Sequence, residues 1–148
     1  MKKEEKMSHI FETLKEEHQE VKNMFAELMK SDEPNMELLD ELNTVLDAHM
    51  KGEEKYVYPE TKSIEAEQTL ESYEEHHVAK LIQRELEKMS GEEENFMAKL
   101  KVFKEVVEHH IQEEENHLFP QTQNSINEDK QDMMEQKYMK LKSKSMPK

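Results

Sequence analysis

The chain has no cysteine. That excludes a disulfide framework, a thiolate-ligated zinc site and a cysteine nucleophile. Turn residues are scarce as well: 2 Gly and 4 Pro in 148 residues leave little chemistry for an all-β fold. The 38% of charged residues instead favours long helices with wide wet faces. Positive charge is the minority, because Lys+Arg 21 against Asp+Glu 35 leaves a net charge of −14. A surface this acidic repels nucleic acid and anionic membranes, so neither is expected as a partner. The apolar runs are only a few residues long, far short of the roughly 20 residues of a membrane span. The opening "MKKEEKMSHIF" has no apolar h-region, so no signal peptide is expected and a cytoplasmic location follows by default.

What is present is helical periodicity. Phe11, Leu14, Val21, Phe25 and Leu28 recur at helical spacing behind a candidate N-cap at Ser8, which predicts a helix over 8–30. A second helix is expected over 36–58, after a loop ending in a capping Asn35, with Pro59 ending or kinking it. A third is expected over 67–89, carrying Val78, Ala79, Ile82, Leu86 and Met89. "SGEEE" stops it and gives the next helix, over 92–119, an acidic start suited to the macrodipole; Pro120 closes that helix. Met134, Tyr138 and Leu141 suggest a short fifth helix, and "KSKSMPK" reads as a frayed tail. The expected fold is all-α: an antiparallel up-down-up-down four-helix bundle with a short C-terminal fifth helix. It would form one domain over 1–148, with its core in 8–120 and an extension over 121–148.

The halves of the chain repeat each other. "HMKGEEKYVYP" (49–59) and "HIQEEENHLFP" (110–120) share the form His-x-x-x-Glu-Glu-x-x-apolar-aromatic-Pro, and "EEHQEVKNMFAEL" aligns with "EEHHVAKLIQREL". At about 100° per residue, His49 and Glu53 fall on the apolar stripe of their helix, and so do His110 and Glu114. The i,i+4 spacing stacks each His and Glu on one face. A carboxylate on an apolar stripe is costly unless it is paired or bound to a metal. A single inward His is more often a satisfied core residue, but two matched copies favour two half-sites of a metal centre. His18 lies at core spacing, and the repeat aligns it with His76 in preference to His77. His9 and His109 point away from their stripes, and His117 lies on a flank. Glu54, Glu113 and Glu115 read as surface charges. Met24, Met89 and Met134 read as core filler, and Tyr56, Tyr58 and Phe119 as a wall across the bundle end with no redox role.

Inward His18, His49-x-x-x-Glu53, His76 and His110-x-x-x-Glu114, followed by "YVYP" and "HLFP", resemble the hemerythrin-like (HHE cation-binding) domain over about 8–120. The resemblance implies a non-haem di-iron centre. Imidazoles would ligate two Fe ions, Glu53 and Glu114 would bridge them, and an oxo or hydroxo group would bridge as well. Two departures from the oxygen carriers stand out. Lys80 and Leu81 occupy the places where a further third-helix imidazole could sit, and His110 and Glu114 are four apart rather than five. A thinner shell suits binding or reaction with O2, NO or peroxide, in sensing or detoxification, better than reversible carriage. Three alternatives stand beside it: an iron store or donor, a ferritin-like di-iron oxidase built on Glu74/His77 and Glu114/His117, and a metal-free helical adapter. Whether the protein turns over a substrate, and its oligomeric state, stay open.

Overall fold

The computed structural model describes residues 9–145, and for His9 the backbone alone. The N-cap expected at Ser8 and the direction expected for His9 fall outside that description. The described residues form α1 (His9–Lys30), α2 (Met36–Gly52), a π-turn (Glu53–Val57), α3 (Tyr58–Lys62) and α4 (Ala66–Glu87). There follow α5 (Phe96–Glu113), a second π-turn (Glu114–Leu118), α6 (Phe119–Gln123) and α7 (Glu128–Ser145), with no strand among them. The long helices make a bundle in which α1 packs on α2, α4 packs on α5, and α7 lies against α1 and α2.

Helix starts follow local chemistry. Asn35 caps α2 as expected, its Oδ1 accepting the Leu38 N–H at 3.0 Å. The start expected at Glu92 is corrected, because α5 begins at Phe96. Gly91 has φ +99°, which suits glycine, and the Glu93 carboxylate accepts the N–H groups of Ser90 and Gly91. The acidic run therefore builds the turn and not the first helical turn. The α4 stripe is corrected too. Thr69, Ser72, His76, Ala79, Gln83 and Leu86 form its buried face, while Val78 is 44% exposed.

Neither proline ends its helix. The chain takes a π-turn before each one, with Tyr58 N–H bonded to the Glu53 carbonyl and Phe119 N–H to the Glu114 carbonyl. A proline inside an α-helix removes a hydrogen bond and clashes with the carbonyl four residues back. A wider turn shifts the register by one residue, and the helix then continues through α3 and α6. Such turns cluster at functional sites, and here Glu53 and Glu114 each open one.

Two apolar clusters fill the interior. One gathers Phe25, Leu42, Leu86, Leu100 and Phe103, the other Ile10, Leu14, Tyr58, Phe119, Met134 and Tyr138. The histidines lie between them: on α1, His18 falls between Leu14 of one cluster and Val21 of the other. The fifth helix is longer than expected, 18 residues to Ser145, so "KSKS" is helical and not frayed. Its Tyr138 packs onto Gly52 so closely that a Cβ there would stand 2.2 Å from the ring.

Candidate metal centre

The polar layer gathers all six side chains expected from the sequence. His18, His49, Glu53 and Glu114 form one group and Glu53, His76, His110 and Glu114 another, every member buried and the ligating atoms of each group within 4.8 Å of one another. Helical i,i+4 spacing lays His49 over Glu53 and His110 over Glu114. His18 Nε2 lies 3.2 Å from both His49 Nε2 and Glu114 Oε1. His49 Nε2 lies 3.3 Å from Glu53 Oε2. In the second group, His76 Nε2 is 2.9 Å from Glu53 Oε1 and His110 Nε2 is 3.1 Å from Glu114 Oε2. Each carboxylate thus turns one oxygen to each histidine pair.

The far nitrogen of every ring is held by a further carboxylate. His49 Nδ1 donates to Glu17 at 2.8 Å and His18 Nδ1 to Glu115 at 2.7 Å. His76 Nδ1 donates to Glu54 at 2.7 Å and His110 Nδ1 to Glu75 at 2.6 Å. These bonds fix each ring so that Nε2 faces the centre, the arrangement that orients imidazole ligands. The expectation that Glu54 and Glu115 are surface charges is therefore corrected. Each is only 28% and 27% exposed and reaches across to a neighbouring helix. The signal was in the repeat, since Glu precedes His18 and His76 and follows Glu53 and Glu114. Looking only at side chains centred on one stripe hides partners that reach between helices.

Tyr58 was missed for a related reason. Five residues after Glu53, it would leave that face in an α-helix. The π-turn brings its hydroxyl to 3.1 Å from Glu53 Oε1, 3.1 Å from His76 Nε2 and 3.2 Å from His110 Nε2, and it donates to Glu114 Oε2. Phe119, at the matching place in the repeat, stacks on His18 with ring centroids 6.1 Å apart. From α7, Tyr138 and Lys142 both donate to Glu17. His77, His109 and His117 are exposed, as is Glu74, so the Glu-x-x-His pairs of a ferritin-like site are not assembled. Lys80 does not enter the vacated ligand space; its Nζ lies 3.4 Å from Glu54.

Charge is concentrated here. Burial pushes the His49 imidazole down, but Glu53 and Glu17 outweigh it and raise it to about 10. His18 and His110 are raised against burial in the same way, by Glu114 above all. Burial pushes Glu53 up, yet the His49 charge and hydrogen bonds from the histidines hold it well below the carboxylate range. Burial and the nearby Glu53 push Glu114 up, and His110 and His18 bring it below its usual value. Burial also raises Glu17, but His49, Lys142 and Tyr138 lower it to about 2. Burial and the Glu114 and Glu53 carboxylates lift Tyr58 well above the phenol range.

The donor set fits a metal. Glu53 Oε2 and Glu114 Oε1 are buried and make no hydrogen bond to any described residue. A buried lone pair without a well-formed hydrogen bond is unfavourable, and each of these faces a histidine Nε2, 3.3 Å away on His49 and 3.2 Å away on His18, and not apolar wall. Neutral imidazole and carboxylate suit borderline transition metals. Beside the imidazoles lies a cavity of about 20 Å³ walled by Val21, Leu46, Ala79 and Val107, room for one water-sized molecule.

Residues 9–122 match the sequence profile of the hemerythrin HHE cation binding domain. A curated protein of Nostoc sp. (strain PCC 7120 / SAG 25.82 / UTEX 2576), named as a DNA nickase, is 25% identical over 139 residues, covering 92% of this chain and 40% of that protein. The chain thus spans about two fifths of that relative's length. No solved structure matches the chain.

Proposed function

Because the chain belongs to the hemerythrin HHE cation-binding family, we propose that its buried His and Glu side chains hold a pair of iron ions that meets a small ligand: O2, NO or peroxide. The observation that carries this is the sharing of both carboxylates, with one oxygen of Glu53 and of Glu114 turned to each histidine pair. His18 and His49 would hold one ion, and His76 and His110 the other. When bound, such a pair supplies redox chemistry toward small oxidants and nitric oxide.

The chain's own residues do the rest. Glu17, Glu54, Glu75 and Glu115 aim the imidazoles. Tyr58 and Phe119, both fully buried, shut the end of the centre against water. The cavity walled by Val21, Leu46, Ala79 and Val107 admits an apolar diatomic and little more. The same proposal takes the long helices as an up-down-up-down bundle within one domain over 1–148, working in the cytoplasm. The net charge of −14 opposes close approach to DNA, so the activity in the Nostoc relative's name is not carried over.

The test is to load the protein anaerobically with ferrous iron, expose it to air, and then remove the oxygen. One-way conversion to the ferric form, and stoichiometric NO binding by the reduced form, are expected. Clean return to the ferrous form over repeated cycles would make the protein a carrier. Loss of iron to a mild chelator, with no reaction to any of the three ligands, would make it a store or donor.

A further inference from the structure

The two histidine pairs are not equivalent, and the difference is one oxygen. The repeat sets Tyr58 and Phe119 at matching places, but only Tyr58 carries a hydroxyl. We infer that Tyr58 is a ligand in its own right, giving its phenolic oxygen to the metal held by His76 and His110. This rests on the metal-pair reading above.

The geometry separates a ligand from a mere plug. A first-row metal sits about 2.1 Å from nitrogen and oxygen donors. Neighbouring donors of an octahedral shell are then roughly 3.0 Å apart and opposite ones roughly 4.2 Å, from the same bond length. Glu53 Oε1 and His76 Nε2 are 2.9 Å apart, and Glu114 Oε2 and His110 Nε2 are 3.1 Å apart, both neighbour spacings. Glu53 Oε1 and His110 Nε2 are 4.0 Å apart, close to an opposite spacing. The Tyr58 oxygen stands 3.1, 3.1 and 3.2 Å from Glu53 Oε1, His76 Nε2 and His110 Nε2 and touches Glu114 Oε2. That places it at the apex of a pyramid over the other four donors. An oxygen occupying the metal's own place, at such distances, would need the four donors spread further apart than they are.

The other tyrosine near the centre is set differently. Tyr138 reaches His49 at Nδ1, the ring nitrogen facing away from the centre, and Glu17. Tyr58 is also fully buried and anchored by the π-turn, so its hydroxyl has no route to solvent. A phenolate is a hard anionic oxygen donor that matches ferric iron. On binding, the hydroxyl proton leaves with the others that metal uptake displaces. The metal at His18 and His49 keeps one donor fewer, so an added small ligand is taken up there.

The experiment loads full-length protein with ferric iron, measures iron per chain, and records the visible spectrum and resonance Raman scattering excited within it. Two irons with a visible band enhancing tyrosinate ring modes, the band vanishing in Tyr58→Phe while both irons stay, is the expected result. Two irons with no tyrosinate modes would overturn the inference and leave the metal pair standing. Fewer than two irons in the wild-type protein would overturn both. If Tyr58→Phe does not fold or does not hold iron, wild-type protein carrying ring-deuterated tyrosine decides: an isotope shift in the enhanced modes supports the inference, and no shift overturns it.

Discussion

At the residue scale, each imidazole has two jobs on its two nitrogens. Nδ1 is engaged by a carboxylate, and Nε2 is left for the centre. The third helix shows how sharp this is. His76 is buried in the centre and its neighbour His77 is exposed. Replacing His76 by Ala should drop the metal content to one ion or fewer per chain, whereas His77→Ala should keep both, as metal analysis after desalting will show. Glu54→Gln and Glu115→Gln should fold and still load at saturating metal. Their metal affinity should fall about 10–100-fold, the usual cost of removing a carboxylate behind a histidine ligand. Competition with a chelator of known affinity measures that. Unchanged affinity in both variants would mean the Nδ1 bonds contribute no orientation.

At the scale of the element, the π-turns and α7 carry what the helices alone do not. Each π-turn is opened by a shared carboxylate and followed by an aromatic-proline pair. Helical period was readable from the sequence, and so was the stripe of α1, where Phe11, Leu14, Val21, Phe25 and Leu28 are all buried; the stripe of α4 was not, because its buried face is mostly polar. The π-turns were not readable, because they arise where a proline and a packed bundle compete over one turn. Tyr58 was lost with them, since its place depends on that extra residue. The length of α7 was also missed. Only Gln131, Met134 and Tyr138 along it are buried, so its apolar stripe is thin and polar contacts add to its hold: Tyr138 and Lys142 reach Glu17, Gln131 donates to the Gln123 and Ile126 carbonyls, and Thr13 donates to Glu135. Gly52→Ala tests that hold, because the new Cβ would meet the Tyr138 ring. Overpacking of this kind costs about 1–3 kcal/mol, or roughly 2–4 °C of melting temperature per kcal/mol in a chain of this size. In a Tyr138→Leu background, where the ring is gone, Gly52→Ala should cost less than it does in the wild type, as thermal melts of the four proteins will show. A Gly52→Ala protein as stable as the wild type would show that α7 is not seated on Gly52.

At the scale of the molecule, a highly charged layer sits between two apolar clusters, and the stability of the metal-free protein and the stability that metal adds should answer pH in opposite ways. Without metal, His49 titrates near 10 instead of 6.5. A raised value stabilises the fold fully below 6.5 and stops doing so as pH rises through about 10. Glu17, lowered from 4.5 to about 2, contributes above 4.5 and loses that contribution as pH falls toward 2. The metal-free melting temperature should therefore peak in mildly acid buffer and decline into the alkaline range. Metal competes with protons for the same Nε2 atoms, so the extra stability that metal confers should grow over the same rise in pH. Melting scans of both forms across pH check this, and a metal-free profile that stays flat into the alkaline range would contradict it.

In the proposed function, Glu53 and Glu114 would each serve two metal ions at once. The most direct measurement is iron per chain in protein reconstituted anaerobically and desalted, for the wild type and for Glu53→Ala. Two ions in the wild type, with both lost or severely weakened in the single variant, is the predicted result, because each histidine pair takes one oxygen from that carboxylate. One ion in the wild type, or a variant that still binds two with wild-type affinity, would contradict it.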